Sequence, residues 1–117
     1  DRSEVEKGDY SIFLDDTLFT KAAFSELKPE GIILLNTKQP MDDSRVIAID
    51  GDAIAAEILK IPITNTIMLG TLAAVFRGIT LADIEEAIRQ YMPEKLHTKN
   101  IAAVTAARDA AAREVRR

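Results

Sequence analysis

Short runs of consecutive apolar residues alternate with segments of helical spacing along the chain. Three runs predict strands, at residues 10–14, 32–36 and 46–50, and each run ends at polar residues. The second and third runs are continuous rather than alternating, which is typical of parallel strands buried on both faces. The pattern indicates an α/β fold of three layers, in which a mostly parallel sheet is flanked by helices, Rossmann-like but partial.

Five helices are predicted around these strands, at 18–27, 51–59, 64–76, 80–91 and 100–115. The polar segment 28–31 contains Pro29 and should end the first helix. The helix at 64–76 is apolar nearly all round, which predicts a buried helix. The last helix is rich in alanine and carries only a narrow apolar stripe, which favours docking on a larger body over core formation. That stripe consists of Ile101, Val104, Ala107, Ala111 and Val115.

The length of 117 residues suits a single domain, 1–117. Residues 1–9 are mostly charged, lack periodicity, and are interpreted as a linker or lead-in. Three strands are fewer than the roughly 5–6 of an average sheet. The chain also lacks an initiator methionine. We therefore expect the carboxy-terminal part of a larger domain, whether as a fragment, a processed product or a split subunit.

The composition of the chain argues against several classes of partner and binding site. The net charge of −4 and the pI of about 5.0 argue against a nucleic-acid or anionic-membrane partner. With no cysteine, the chain cannot form a disulfide or bind metal through thiolates, which fits a cytoplasmic protein. Its single histidine, His97, is expected in a solvated loop and cannot build a zinc site alone. No catalytic set, phosphate-binding loop or metal site can be assembled from the residues.

Two places are candidates for ligand contact. Asp50 closes a predicted strand, and an acid there can bind a ribose hydroxyl, although capping the next helix is the alternative. No glycine-rich phosphate turn precedes it. Thr64, Asn65 and Thr66 begin the apolar helix, where free N–H groups attract anions, and capping is again the alternative. Asp15 and Asp16 are predicted to cap a helix.

Five segments, taken in order, resemble the gamma component of the 2-oxoacid:ferredoxin oxidoreductases. They span residues 9–18, 27–37, 49–58, 65–73 and 81–88, and the resemblance covers about 9–105. The stretch Asn65-Thr66-Ile67-Met68-Leu69-Gly70 is similar to the family's most distinctive pattern, "NTVMLGALA". The family's "GRGGQG" turn and its "FGPERRGA"-like segment are absent, so no ligand role is carried over from them.

The resemblance implies an accessory component of a complex, most simply of pyruvate synthase type. That complex converts a 2-oxoacid, coenzyme A and oxidised ferredoxin to acyl-CoA, carbon dioxide and reduced ferredoxin. Thiamine diphosphate, magnesium, iron–sulfur clusters and coenzyme A would be bound by other components. The partners implied are the alpha, beta and delta components, with ferredoxin as an indirect partner. No activity is expected of the chain alone, and the 2-oxoacid is not determined. The alternative is a stand-alone regulatory α/β module that binds a nucleotide or coenzyme A.

Overall fold

A computed structural model describes residues 8–115 of the chain. Three parallel strands form one sheet in the order β1-β2-β3: β1 Gly8–Phe13, β2 Leu27–Asn36 and β3 Val46–Ile49. The helices are α1 Gly51–Ile54 with a π-helical continuation Ala55–Leu59, α2 Asn65–Val75, α3 Leu81–Tyr91 and α4 His97–Val115. Short 3-10 turns cover Asp16–Leu18, Lys21–Glu26 and Glu94–Leu96. The predicted α/β class, a parallel sheet flanked by helices, is confirmed.

Both faces of the sheet are buried, as the continuous apolar runs predicted. On one face, Leu34 and Ile47 pack in a core with residues of α2 and α4. On the other, Ile33 and Leu35 pack against partly buried aromatic side chains that include Phe24. The covering of the second face differs from prediction, because the expected helix over 18–27 is a pair of 3-10 turns. Its apolar spacing marked the buried side correctly but not the type of helix.

The start of β2 also differs from prediction. The strand was predicted from residue 32 but begins at Leu27, so it includes residues 28–31, which were expected only to end the first helix. The pairing of β1 with β2 jumps from Gly8↔Leu27 to Tyr10↔Ile32, so three more residues are inserted in β2 than in β1. Proline is tolerated at such an irregularity because no ladder hydrogen bond requires its missing N–H. Gly8 and Asp9, interpreted as part of the lead-in, belong to β1, and residues 1–7 lie outside the described chain.

Helices α1 and α2 follow the prediction with modified ends. The segment predicted as one helix over 51–59 is an α-helical turn that passes into a π turn. The Lys60 N–H donates to Ala55 O over 2.8 Å, and Lys60 takes a left-handed conformation, with φ of 66°. Helix α2 buries Ile67 and Met68 completely, but Leu69 remains 38% exposed. Helix α2 is therefore buried on one side only, whereas a fully buried helix was predicted.

Helix α4 is part of the core, so the prediction that its stripe serves for external docking is wrong. Val104, Ala107 and Ala111 are fully buried. The helix packs most extensively on α2, where a Cβ built on Gly70 would lie 2.3 Å from Val104 O. Small residues on both helices permit this close approach, which explains how an alanine-rich stripe can form a core. Val115, at the end of the stripe, is 52% exposed.

The loop between β2 and β3 is held by one ion pair. The Arg45 guanidinium donates to both carboxylate oxygens of Asp43, at 3.2 and 3.1 Å, and lies 4.1 Å from the centre of the Phe24 ring. Hydrogen bonds from the Arg45 side chain and backbone lower the pKa of Asp43, and the pKa of Arg45 is raised in turn by the same side-chain bond. This contact anchors the entrance of β3 to the aromatic cluster beneath the sheet.

Candidate functional site

The carboxyl edge of the sheet is joined by one buried side chain, Asn36, which is 4% exposed. Its Nδ2 donates to Leu14 O at 3.0 Å and to Asp52 Oδ1 at 3.1 Å. Its Oδ1 accepts a 2.7 Å hydrogen bond from the Gly51 N–H. Asn36 ends β2, Leu14 follows β1, and Gly51 follows β3. A single amide therefore ties the ends of all three strands together.

The next residue, Thr37, makes a second set of bonds at the same edge. Its hydroxyl donates to Asp16 Oδ2 over 2.6 Å and accepts from the Gln39 N–H at 3.0 Å. Asp15 accepts from the Thr17 N–H at 3.0 Å and so caps the 3-10 turn after β1. The predicted capping role is confirmed for Asp15, while Asp16 instead bonds across the edge to Thr37.

These residues border an open cleft of about 420 Å³ at the carboxyl ends of the strands. Its lining contains Leu14, Asp15, Asp16, Asn36, Thr37, Lys38, Gln39, Asp52, Pro62 and Thr64. Three carboxylates face one lysine there, so the field in the cleft is negative and opposes the binding of phosphate groups. The cleft occupies the position where α/β folds place ligands, but its charge suits a neutral or cationic group.

Of the three residues predicted as a site at the start of α2, only one lines this cleft. Thr64 lines it and is the N-cap residue of α2, but its hydroxyl makes no capping hydrogen bond. Asn65 Oδ1 instead accepts from the Thr66 N–H at 3.0 Å. Asn65 and Thr66 do not line the cleft. A ligand contact at Thr64, Asn65 and Thr66 stays a prediction.

The fourth predicted residue, Asp50, lies elsewhere. Its carboxylate accepts from the Ala53 N–H at 2.9 Å, which confirms the capping interpretation. It borders a separate shallow groove between β3 and α4 that also includes Ala110 and Arg113. The structure therefore does not bring Asp50 together with Thr64, and a contact of Asp50 with a ribose hydroxyl stays a prediction.

His97 is not in a solvated loop as predicted. It is the first residue of α4, half-buried, and its Nε2 lies 2.8 Å from Met92 O. This contact links the end of α3 to the start of α4, so its role is structural. Within residues 8–115, no three acidic or imidazole side chains converge as metal ligands would. None of the helices in that range has the length and apolar character that a membrane crossing requires.

Asn36 and Thr37 are the site residues that sequence reasoning missed. Asn36 was treated as the end of a strand, and Thr37 as part of a matching segment. The available signal was a polar pair directly after four apolar residues of a buried strand, since an amide there must find partners inside the protein. Their partners Leu14, Asp16, Gly51 and Asp52 lie 15 to 22 residues away along the chain, so only the sheet topology reveals them.

Fold and site together define an α/β domain whose polar sheet edge is held by its own hydrogen bonds. A family model described as pyruvate ferredoxin/flavodoxin oxidoreductase matches residues 1–110. The chain is 35% identical, over 102 residues, to pyruvate synthase subunit PorC of Methanothermobacter marburgensis; the match covers 85% of this chain and 58% of that protein. It is 31% identical over 109 residues to the common gamma subunit of the pyruvate/ketoisovalerate oxidoreductases of Pyrococcus furiosus, with 85% and 59% covered.

A solved structure agrees with the sequence matches. The crystal structure of pyruvate oxidoreductase subunit PORC from Thermotoga maritima superimposes with a TM-score of 0.80 at 27% identity, and covers 92% of this chain and 66% of that one. The chain belongs to the pyruvate ferredoxin/flavodoxin oxidoreductase family, so the resemblance found in the sequence is confirmed. It spans somewhat less than three fifths of the length of the curated relatives it matches first.

Proposed function

We propose that the chain is an accessory, gamma-type component of a thiamine-diphosphate-dependent 2-oxoacid:ferredoxin oxidoreductase of pyruvate synthase type. The observation that carries the proposal is the family match over residues 1–110, together with relatives named as PorC or gamma subunits. In this function the chain supplies scaffold around a reaction site, and the complex forms acyl-CoA, carbon dioxide and reduced ferredoxin. The chain works in the cytoplasm and only as part of the complex.

The redox groups belong to other components in this proposal. Iron–sulfur clusters are held mainly by cysteine thiolates, and the chain has no cysteine. Thiamine diphosphate, magnesium, the clusters and coenzyme A are accordingly assigned to the alpha, beta and delta components, which also pass electrons to ferredoxin. The division of labour leaves the gamma component to position its partners by packing.

The polar edge of the sheet fits a structural role. The Asn36 amide and the Thr37 hydroxyl form their hydrogen bonds with other groups of the same edge. The negative field of the cleft opposes the phosphates of a nucleotide or of coenzyme A. These observations favour the accessory component over the stand-alone regulatory module. Any ligand contact is proposed either at Thr64, Asn65 and Thr66 or, for a ribose hydroxyl, at Asp50, which borders a separate groove.

Anaerobic co-purification tests the proposal. The tagged chain is produced together with the alpha, beta and delta components and isolated without oxygen. We expect recovery of protein-bound thiamine diphosphate, of the visible absorbance of iron–sulfur clusters, and of pyruvate- and CoA-dependent reduction of ferredoxin. Untagged chain provides the control for nonspecific recovery. A tagged, folded chain that recovers neither cofactor nor activity would overturn the proposal, as would activity of the isolated chain.

A further inference from the structure

The junction between β3 and α1 contains the only aspartate of the chain that is followed by glycine, Asp50-Gly51. Such a pair has a side reaction of its own, because glycine lacks the Cβ that would hinder attack by its main-chain nitrogen on the preceding carboxyl group. In this reaction the Gly51 nitrogen forms a bond to Asp50 Cγ. The carboxyl hydroxyl and the amide proton leave together as water, and a succinimide ring remains.

Water reopens a succinimide ring at either of its two carbonyl carbons. If the bond from the Gly51 nitrogen to Asp50 Cγ breaks, aspartate is restored. If the bond to the main-chain carbonyl carbon of Asp50 breaks, the product is isoaspartate, in which the main chain continues through Cγ and is longer by one methylene. Because one water is lost and one is gained, the change requires no oxidant and no cofactor.

The native main chain at Asp50 holds the reacting atoms apart. Ring closure requires the Gly51 nitrogen and the Asp50 Cβ to lie on the same side of the bond between Cα and the carbonyl carbon. The ψ angle of Asp50 is 82°, which places this nitrogen and this Cβ nearly opposite each other across that bond. The folded chain therefore has to rotate at Asp50 before the ring can form.

Two hydrogen bonds oppose that rotation. The Asp50 carboxylate accepts from the Ala53 N–H at 2.9 Å, and the Gly51 N–H donates to Asn36 Oδ1 at 2.7 Å. Gly51 is buried, and Asn36 is itself held by two further bonds at the same edge. Rotation at Asp50 would withdraw the Gly51 N–H from its acceptor, and an unpaired buried N–H is costly.

We propose that Asp50-Gly51 is a latent site of isoaspartate formation, which Asn36 keeps inert while the carboxyl edge of the sheet is closed. The modification occurs when this edge opens locally. Isoaspartate at residue 50 adds a methylene to the main chain between β3 and α1 and displaces the carboxylate that caps α1. The edge then cannot close again in its native geometry, so each opening that leads to reaction is irreversible. The proposal rests on neither the proposed activity nor the proposed partners.

Prolonged incubation near neutral pH tests the protection by the fold. The folded 117-residue chain and a synthetic peptide of residues 46–55, the unrestrained reference, are kept under the same conditions. Peptide mapping by mass spectrometry, with fragmentation that separates isoaspartate from aspartate, measures the modified fraction of residue 50. We expect modification at least about tenfold slower in the folded chain, because the reaction requires opening. Equal rates in the chain and the peptide would overturn the proposal.

Asn36→Ala tests whether the closed edge is what protects the site. It leaves the Gly51 N–H without an acceptor and should accelerate modification of residue 50 by about tenfold or more. Ile88→Ala is the control, because it empties a buried position of α3 in a separate core cluster and destabilises the fold by a comparable amount. It should accelerate the reaction far less. Equal acceleration by both variants would mean that the reaction follows global unfolding, which would overturn the role of Asn36.

Asp50→Asn gives a second test in a fold that keeps its cap, because asparagine caps helices as well as aspartate does. An asparagine before glycine forms the same ring with loss of ammonia instead of water, and the mass of the product reveals the reaction. We expect deamidation of residue 50 at least about tenfold slower in the folded variant than in the peptide with the same substitution. Equal rates would overturn the proposal even if Asn36→Ala fails to fold. No outcome depends on ferredoxin reduction, so failure here is distinguishable from failure of the proposed function.

Discussion

The contact between α2 and α4 makes the stability of the protein sensitive to a single methyl group. In Gly70→Ala, the new Cβ would lie 2.3 Å from Val104 O and 3.1 Å from the Ala107 Cβ. Ordinary contacts between carbon and carbonyl oxygen begin at roughly 3.3 Å. The two helices must therefore separate by about 1 Å locally, and the obstructing atom belongs to the backbone of α4, which cannot rotate away.

The change in the free energy of unfolding caused by Gly70→Ala is the balance of two opposing effects. Alanine is favoured over glycine inside a helix by up to about 1 kcal/mol. Overpacking a core costs typically about 1–3 kcal/mol, and a rigid obstacle places Gly70→Ala in the upper part of that range. We expect a net loss of about 1–2 kcal/mol in the free energy of unfolding, because overpacking exceeds the helix-propensity gain. With a urea m-value of about 1–3 kcal/mol/M, the unfolding midpoint should fall by on the order of 1 M.

Urea unfolding followed by circular dichroism measures this change. Ala102→Gly, at an exposed position of α4, is the control for helix propensity alone and should cost about 1 kcal/mol. The double variant Gly70→Ala with Ala107→Gly removes the side-chain contact but leaves Val104 O in place. Because Ala107→Gly carries its own helix-propensity cost of about 1 kcal/mol, the double variant should be no more stable than Gly70→Ala. A Gly70→Ala variant as stable as the parent, or complete recovery in the double variant, would refute the backbone clash.

Three further predictions concern single polar groups. Asn36→Ala leaves the buried Gly51 N–H without an acceptor and should lower the free energy of unfolding by about 2–3 kcal/mol in urea titrations, while a loss below about 0.5 kcal/mol would contradict the role of Asn36 at the sheet edge. Thr80→Ala removes one half of the capping box of α3, in which Thr80 and Asp83 exchange two hydrogen bonds, and should cost about 1 kcal/mol; Thr80→Ser should retain most of it. Arg45→Gln should raise the pKa of Asp43 toward its usual value in an NMR titration. Because the folded-state pKa of Asp43 is lowered, the stability it contributes is present above its unfolded pKa and is lost as the pH falls through the folded value.

The layout of the sheet was predictable because its strands are apolar over consecutive residues. Such runs lack the polar alternation of a strand with one face in solvent. A parallel strand buried on both faces was therefore the natural interpretation at 32–36 and 46–50. The capping box of α3 has an equally local cause, because its two partners, Thr80 and Asp83, lie within one helical turn. Features with local causes were predicted well, including the capping by Asp15 and Asp50.

Features that depend on distant partners were not predictable. Pro29 was interpreted as a break because a proline usually ends an element, but the irregular pairing of β1 with β2 accommodates it. The alanine stripe of α4 resembled a weak docking surface until its partner, Gly70, made close packing possible. The role of Asn36 required three strand ends to meet, and their positions in space do not follow from spacing along the chain.

Helix α2 combines the predicted and the unexpected in one element. A helix that is apolar all round should be buried on every side. The structure buries Ile67 and Met68 and sets Gly70 against α4, yet Leu69 stays 38% exposed. The helix packs against the sheet at Leu34 and against α4 at Ala107, so its apolar character predicted a place in the core but not which of its sides would be covered.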